Sequence, residues 1–155
     1  MNTDKKKNIL IVDDDPFLQS LYRKTLEREG FNILTAADGQ DAVEMLPNIC
    51  ADLVVLDLML PKIPGLKVLE TIRSDSHHKD LPVLILSNAY LPDTAQKAMQ
   101  AQATAGMLKS ECSPKQLVKI IRETLKQANV EAVKLAGETG KPSARGSWFS
   151  NLLGS

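Results

Sequence analysis

The apolar residues of the chain form short continuous runs that alternate with segments of helical spacing. The runs are Ile9–Val12, Phe31–Ala36, Leu53–Leu56, Val83–Leu86 and Thr104–Leu108, of which the last is weaker. Runs of this length, bounded by turn-forming residues, are typical of strands buried on both faces of a sheet. The pattern therefore predicts five short strands, and their continuous burial favours a parallel sheet.

The segments between the runs repeat apolar residues every three or four positions and carry helix-boundary residues. Five helices are predicted: Pro16 to near Gly30, Asp38 through Leu46, Leu66–Arg73, Asp93 to about Gln102, and Ser113 to about residue 136, just before Gly137. Parallel strands need crossover helices, which cover both faces of the sheet. The alternation predicts a doubly wound α/β fold.

Polar residues follow four of the predicted strands at the point where each strand ends. Asp13 and Asp14 follow the first strand, Asp57 the third, Ser87 the fourth and Lys109 the fifth. Each residue alone is weak evidence, and the neighbouring Asp15 is best interpreted as a helix N-cap. Because the carboxyl ends of parallel strands share one edge, where such sheets bind ligands, all five side chains are expected to meet there.

This set of side chains suggests phosphoryl chemistry. Clustered carboxylates repel one another and need a cation, and oxygen ligands at this density suit Mg²⁺. Beside a metal, Asp57 can act as an ionised nucleophile towards a phosphoryl group. Lys109 would then supply positive charge to the phosphoryl oxygens, and the Ser87 hydroxyl would donate a hydrogen bond to one of them.

Four stretches of the chain resemble the receiver domain of bacterial two-component response regulators, in the stand-alone style of the chemotaxis regulator. They are Ile9–Phe17 with its acidic pair, Leu53–Gly65 around Asp57, Leu86–Ala89 with Ser87, and Met107–Lys109. The resemblance implies a flavodoxin-like strand order 2-1-3-4-5. It also implies an Mg²⁺ site made by Asp13, Asp14, Asp57 and the backbone carbonyl of Met59.

The resemblance further implies a phosphorylation-dependent signalling switch. A histidine kinase or histidine phosphotransfer protein would donate a phosphoryl group to Asp57, and the changed surface would bind a downstream protein. The chain would not turn over a small substrate and so is not expected to be an enzyme in that sense. Two rivals are a receiver-like scaffold that works without phosphorylation and an aspartate-nucleophile phosphohydrolase, which typically has an aspartate where Met59 lies.

Three residues depart from the family pattern on its signalling side. Gly106 occupies the position of an aromatic residue, so rotation of a buried aromatic ring cannot be the output switch. Ser110 follows Lys109 where many members have a cis proline, and a trans turn is expected because a non-proline cis bond is costly. Gln102 lies where a helix-ending glycine is common.

Two residues beside the expected phosphoryl group predict slow loss of that group. Met59 lies two residues after Asp57, and Ala89 two residues after Ser87. Neither side chain can hydrogen-bond a hydrolytic water as an acidic or amide side chain does. A long-lived phosphoryl group is therefore expected.

Composition excludes several function classes. The 19 basic and 19 acidic residues cancel, so charge gives no case for nucleic acid binding. Two cysteines without metal spacing suggest reduced thiols in the cytoplasm. No apolar stretch has the length of a membrane span, and none fits a signal peptide.

The chain is expected to hold one receiver domain over residues 7–130, followed by a tail over residues 137–155. The tail is linker-like and then places Trp148, Phe149, Leu152 and Leu153 close together. Packing on the protein's own surface, disorder, docking to a partner and the start of a further domain are all open for this cluster. Some 18 residues after Gly137 are too few for an effector domain, so the chain is either stand-alone or the N-terminal receiver of a larger regulator.

Overall fold

The computed structural model describes residues 5–88 and 97–137, with side chains as far as residue 128. Five parallel strands form one sheet: β1 (Asn8–Val12), β2 (Asn32–Ala36), β3 (Leu53–Leu56), β4 (Val83–Ser87) and β5 (Ala105–Leu108). Their order is β2-β1-β3-β4-β5. The predicted sheet and its strand order are confirmed, and each strand begins and ends within a residue of its predicted position.

Helices follow the strands as crossover connections. They are α1 (Pro16–Arg28), α2 (Gly39–Met45), α3 (Gly65–Ser74), the helical residues 97–100 (α4) and α5 (Pro114–Gly137). Short 3-10 turns occur at Leu46–Asn48 and Lys109–Glu111. The predicted helix start at Asp93, Ala89 and the whole cluster from Trp148 to Leu153 lie outside the described residues.

The sheet separates two hydrophobic cores, as a doubly wound fold requires. Alternate residues of β1 and β3 contribute to each: Leu10 and Val54 pack on one face, while Ile9 and Leu53 pack on the other. The first face is covered by α2, α3 and α4, through residues that include Ala42, Val68, Leu69, Ile72 and Ala98. The second is covered by α1 and α5, through Tyr22, Leu26, Leu117 and Ile121.

Local hydrogen bonds define the helix starts that were predicted from sequence. The Asp15 carboxylate accepts hydrogen bonds from the backbone N–H groups of Phe17 (2.9 Å) and Leu18 (3.3 Å), which makes it the N-cap of α1. Asp38 caps α2 in the same way, at 2.8 Å from the N–H of Asp41. Beyond the end of α1, Gly30 has φ of +97°, a left-handed conformation that favours glycine.

At the amino edge of the sheet, Arg73 joins the end of α3 to the segments that lead into β4 and β5. Its guanidinium donates hydrogen bonds to the carbonyls of Lys79 (3.1 Å), Leu81 (2.7 Å) and Gln102 (3.0 Å). Gln102 itself has φ of +65°. A glutamine therefore occupies a left-handed position, at the residue where the sequence resemblance predicts a glycine.

The chain after β5 takes the course expected without a proline. Among the described residues no peptide bond is cis, and Ser110 lies within the 3-10 turn Lys109–Glu111. Cys50 is exposed, Cys112 is buried, and both are free thiols. In the described part of the chain, no helix has both the length and the apolar character needed to cross a bilayer.

Candidate functional site

Three residues from three strand ends meet at the carboxyl edge of the sheet. Asp13 follows β1, Asp57 follows β3 and Lys109 follows β5, and all three side chains are almost fully buried. The Nζ of Lys109 lies 2.6 Å from Oδ2 of Asp13 and 2.8 Å from Oδ2 of Asp57. One ammonium group thus bridges two carboxylates that would otherwise repel each other in a site with little water.

Asp14 adds a third carboxylate at the solvent side of this pair. Carboxylate oxygens of Asp13, Asp14 and Asp57 all lie within 4.8 Å of one another, while Asp14 itself is exposed. Within the described residues this is the one cluster of His, Cys, Asp and Glu side chains with the spacing of a metal site. Its donor set, made of oxygens alone with an open side, fits a hard cation such as Mg²⁺.

The backbone after β3 turns back on Asp57. The N–H of Met59 donates a hydrogen bond to Oδ1 of Asp57 at 3.0 Å, and the N–H of Gly65 donates to the carbonyl of Leu58 at 3.1 Å. A Cβ at Gly65 would lie 2.1 Å from the carbonyl oxygen of Asp57. Only glycine permits this close approach, which fixes the direction of the backbone beside the carboxylate.

Ser87 ends β4 next to the site. Its side chain is buried, and it pairs in register with Leu108, the residue before Lys109. β4 lies between β3 and β5 in the sheet, so the hydroxyl-bearing residue leaves the sheet between Asp57 and Lys109. The five predicted side chains therefore leave the same edge, and the structure brings four of them into direct contact or within metal-binding distance.

Burial and ion pairing shift the pKa values of this site in ways that oppose each other. Burial raises the pKa of the Asp57 carboxyl, and the hydrogen bonds from Lys109 and Met59 offset only part of that effect. Burial would also lower the pKa of Lys109, but its bonds to Asp13 and Asp57 outweigh burial and raise it. Lys109 therefore remains charged, whereas burial disfavours the ionised form of Asp57.

Sequence reasoning missed Gln19, whose side chain supports the backbone of the site. The side-chain amide of Gln19, on α1, donates hydrogen bonds to the backbone carbonyls of Asp13 (2.5 Å) and Ala36 (2.9 Å). It links the ends of β1 and β2 through the backbone of Asp13, the first residue of the acidic pair. A glutamine at a half-exposed helix position has no distinguishing signal in the sequence, so only the structure identifies it.

The chain matches the family model described as "Response regulator receiver domain" over residues 9–122. A "Probable transcriptional regulator ycf27" of Guillardia theta is 32% identical over 133 residues, which cover 85% of this chain and 50% of the relative. The "Alkaline phosphatase synthesis transcriptional regulatory protein PhoP" of Bacillus subtilis is 38% identical over 81 residues, 52% of this chain and 33% of the relative. The chain thus spans about half the length, or less, of these curated relatives.

Solved structures share the fold. A CheY-like response regulator receiver domain protein from Methanospirillum hungatei superposes with a TM-score of 0.77 at 25% identity, covering 82% of this chain and 99% of that chain. The chemotaxis response regulator CheY4 of Vibrio cholerae superposes with a TM-score of 0.72 at 26% identity, covering 77% of this chain and 99% of that one.

Proposed function

The chain belongs to the response regulator receiver family, and from this we propose that it is a signalling switch whose phospho-acceptor is Asp57. A partner histidine kinase or histidine phosphotransfer protein would present a phosphohistidine at the carboxyl edge of the sheet. The Asp57 carboxylate would attack the phosphorus atom, and the bond from phosphorus to the histidine nitrogen would break. The acyl phosphate formed would change the surface that a downstream protein binds.

In this proposal each site residue has one role. Asp13, Asp14, Asp57 and the backbone carbonyl of Met59 would hold Mg²⁺, whose charge neutralises the phosphoryl oxygens. Lys109 would exchange its bond to Asp57 for one to a phosphoryl oxygen. Ser87 would donate its hydroxyl hydrogen to another oxygen, which would draw the residues after β4 towards the site.

The observation that carries the proposal is the position of Lys109 between two buried carboxylates. An ammonium group 2.8 Å from Asp57 is already placed to contact a group attached to that carboxylate. The same geometry argues against a scaffold that works without phosphorylation. Burying charged carboxylates costs folding free energy, and such a scaffold would bind no ligand that requires them. A phosphohydrolase with an aspartate nucleophile typically has an acidic residue at the position of Met59. Met59, which is 55% exposed, can act as neither an acid nor a base there.

We propose that residues 7–130 form the receiver domain, that residues 137–155 form a separate tail, and that the protein acts in the cytoplasm. Several relatives are named as transcriptional regulators, and one of Synechocystis is named as DNA-binding. This supports a second candidate, in which the chain is the receiver of a larger regulator. The expectation that this chain does not itself bind nucleic acid rests on its balanced charge and stays a prediction.

Phosphorylation by a small donor tests the proposal. Incubating the full chain with acetyl phosphate and Mg²⁺ should add one phosphoryl group, detected by intact-mass spectrometry, and the label should be absent from Asp57→Asn. Asp80→Asn is a matched control, since Asp80 is an exposed carboxylate away from the site. No Asp57-dependent label, together with unchanged amide shifts on addition of fluoroberyllate and Mg²⁺, would favour the scaffold.

The label should also be long-lived. Met59 offers no group that positions a hydrolytic water at Asp57, so loss of the phosphoryl group should take minutes or longer in Mg²⁺ buffer. Met59→Asn should shorten that lifetime, roughly 10-fold or more, by supplying a hydrogen bond to the water. Complete loss within seconds from the unmodified chain would contradict this reasoning.

A further inference from the structure

The loop that follows the candidate acceptor, residues 58–64, holds a strained residue at its tip. Lys62 has φ of +67° and, with Gln102, is one of two non-glycine residues with positive φ among those described. A side chain with a Cβ disfavours this conformation. Such strain persists only where the surroundings determine the backbone more strongly than the residue itself does.

The surroundings of Lys62 are supplied by the turn that begins α2. Its Nζ lies 3.2 Å from Oδ2 of Asp38; the Lys62 side chain is 62% exposed and the Asp38 side chain 14%. The N–H of Gly39 donates to the carbonyl of Pro61 at 3.5 Å, and the N–H of Ile63 donates to the same oxygen at 2.8 Å. Two contacts from the start of α2 and one hydrogen bond within the loop itself therefore meet at the tip of the loop.

Close packing of Gly39 against Ile63 also joins the loop to the start of α2. A Cβ at Gly39 would lie 2.0 Å from the carbonyl oxygen of Ile63 and 2.8 Å from the Cβ of Ile63. Ile63 in turn packs against the core on the α2 and α3 face of the sheet. The loop tip thus lies directly on the start of α2, where only a glycine leaves room for it.

The other end of the loop is anchored at Asp57. The N–H of Met59 donates to the Asp57 carboxylate, and the N–H of Gly65 donates to Leu58. Between these two anchors the course of the loop has little freedom. That course sets the direction of both backbone groups of Met59, the N–H that contacts Asp57 and the carbonyl that is proposed to bind the cation.

We infer that Asp38, Gly39 and Lys62 are positioning residues for the Asp57 site, which they influence by fixing the loop that carries Met59. We call these three residues the loop clamp. The inference rests on the proposed function in that the site is taken to bind Mg²⁺. It goes beyond that function because none of the three residues lies at the carboxylate cluster.

Two variants separate a positioning role of the clamp from a purely structural one. Lys62→Gly removes the side chain that contacts Asp38, but glycine accepts positive φ without strain, so the fold should not suffer. Asp38→Asn removes the charge and keeps an N-cap of equal quality for α2. If the clamp positions the site, both variants should weaken ligand binding while their stability stays near that of the unmodified chain.

The experiment uses the full chain, with Mg²⁺ alone as the probe. Isothermal titration should give Lys62→Gly and Asp38→Asn a dissociation constant for Mg²⁺ that is roughly 3- to 10-fold higher, below the range seen when direct supports of metal ligands are lost. Their melting temperatures should stay within about 2 °C of the unmodified chain. In the metal-free protein, the amides of Met59 and Ile63 should exchange hydrogen faster.

Two further variants sharpen the reading. Lys62→Arg keeps the positive charge and should bind Mg²⁺ like the unmodified chain. Lys79→Gly removes an exposed lysine from a loop at the opposite edge of the sheet and should change neither affinity nor loop exchange. The double variant Asp38→Asn, Lys62→Gly should be no weaker than either single variant, because one contact cannot be lost twice.

The outcomes separate the clamp from the proposed function. Unchanged Mg²⁺ affinity and amide exchange in both single variants, with normal binding by the unmodified chain, would overturn the clamp alone. An unmodified chain that neither binds Mg²⁺ nor takes label from acetyl phosphate would overturn the proposed function, and the clamp with it.

Discussion

Replacing Lys109 by methionine should destabilise the metal-free protein in a manner that depends on pH. The substitution keeps the volume of the aliphatic stem and removes the ammonium group that bridges Asp13 and Asp57. Two nearly buried carboxylates then face each other without a cation. Removing one partner from a buried ion pair typically costs about 3–5 kcal/mol of folding free energy.

An independent estimate gives the same magnitude. A carboxyl group can escape the repulsion by taking up a proton, which at pH 7 costs about 4 kcal/mol for an ordinary pKa near 3.9, at about 1.36 kcal/mol for each pH unit. At pH 5 the same proton costs about 1.5 kcal/mol. We therefore expect Lys109→Met to lose about 4 kcal/mol at pH 7 and less than half of that at pH 5.

The sign follows from proton counting. The folded variant would hold one proton more than its unfolded chain between pH 5 and pH 7, so its free energy of unfolding must fall as the pH rises. In the unmodified chain the raised pKa of Lys109, which its bonds to the two carboxylates maintain against burial, keeps the ion pair intact across this window. The difference between the two proteins should therefore widen with pH.

Urea unfolding in EDTA at pH 5, 6 and 7 measures this difference. Mg²⁺ in place of EDTA should restore part of the folding free energy that the variant has lost. At ten times the dissociation constant, a bound cation contributes about 1.4 kcal/mol. Lys119→Met is the control, because this exposed lysine on α5 should change stability by less than about 0.5 kcal/mol. A loss under about 1 kcal/mol at pH 7, or one that is the same at pH 5, would refute the reasoning.

Three further substitutions give separate tests, each read by urea unfolding. Asp57→Asn should stabilise the metal-free protein at pH 7, because burial raises the pKa of this carboxyl; the gain should vanish as the pH falls through that pKa and the unmodified carboxyl is protonated. Gln102→Gly should stabilise by about 0.5–1 kcal/mol through relief of its positive φ, whereas Gln100→Gly in α4 should destabilise. Arg73→Ala should cost about 2–3 kcal/mol, since three carbonyls lose a charged donor, and Arg28→Ala, an exposed control, should cost little.

Sequence reasoning succeeded where one local feature decides the structure. A strand buried on both faces must be apolar at every position, so Leu53–Leu56 was readable as a strand by itself. Asp15 and Asp38 were readable as caps because a capping side chain contacts residues two or three positions away. The meeting of Asp13, Asp57 and Lys109 followed from strand direction, since parallel strands end at one edge.

It failed where a residue depends on a partner far along the chain. Lys62 takes a left-handed conformation in a turn closed by the N–H of Ile63, and that turn lies against Asp38 and Gly39, more than twenty positions earlier, which its own sequence neighbours do not signal. Gln19 is a second example, since it contacts Ala36.

Sequence spacing also leaves the edge of a helix face undecided. Leu21 has a spacing on α1 that matches the buried Tyr22 and Leu26, but it is 37% exposed. Spacing identifies a helix face only to within the width of one residue, so an edge position such as Leu21 is not decided by it.

We propose that the backbone at two strand ends carries the signal from the site to the surface that a partner binds. Gly106 is buried within β5, in register with Ile85, so this position has no side chain that can change rotamer between two states. Ser87, the last residue of β4, instead pairs with Leu108, the last residue of β5, and Lys109 follows directly after it; Ser87 and Lys109 are the residues proposed to contact the phosphoryl group. In that proposal, movement of Ser87 towards Asp57 would shift the backbone that follows it, and release of Asp57 by Lys109 would loosen the 3-10 turn that leads into α5. An aromatic residue placed back at position 106 by Gly106→Tyr should therefore alter which partner binds without altering the rate at which acetyl phosphate labels Asp57; a change in that rate would show that the two ends of the switch are not separable.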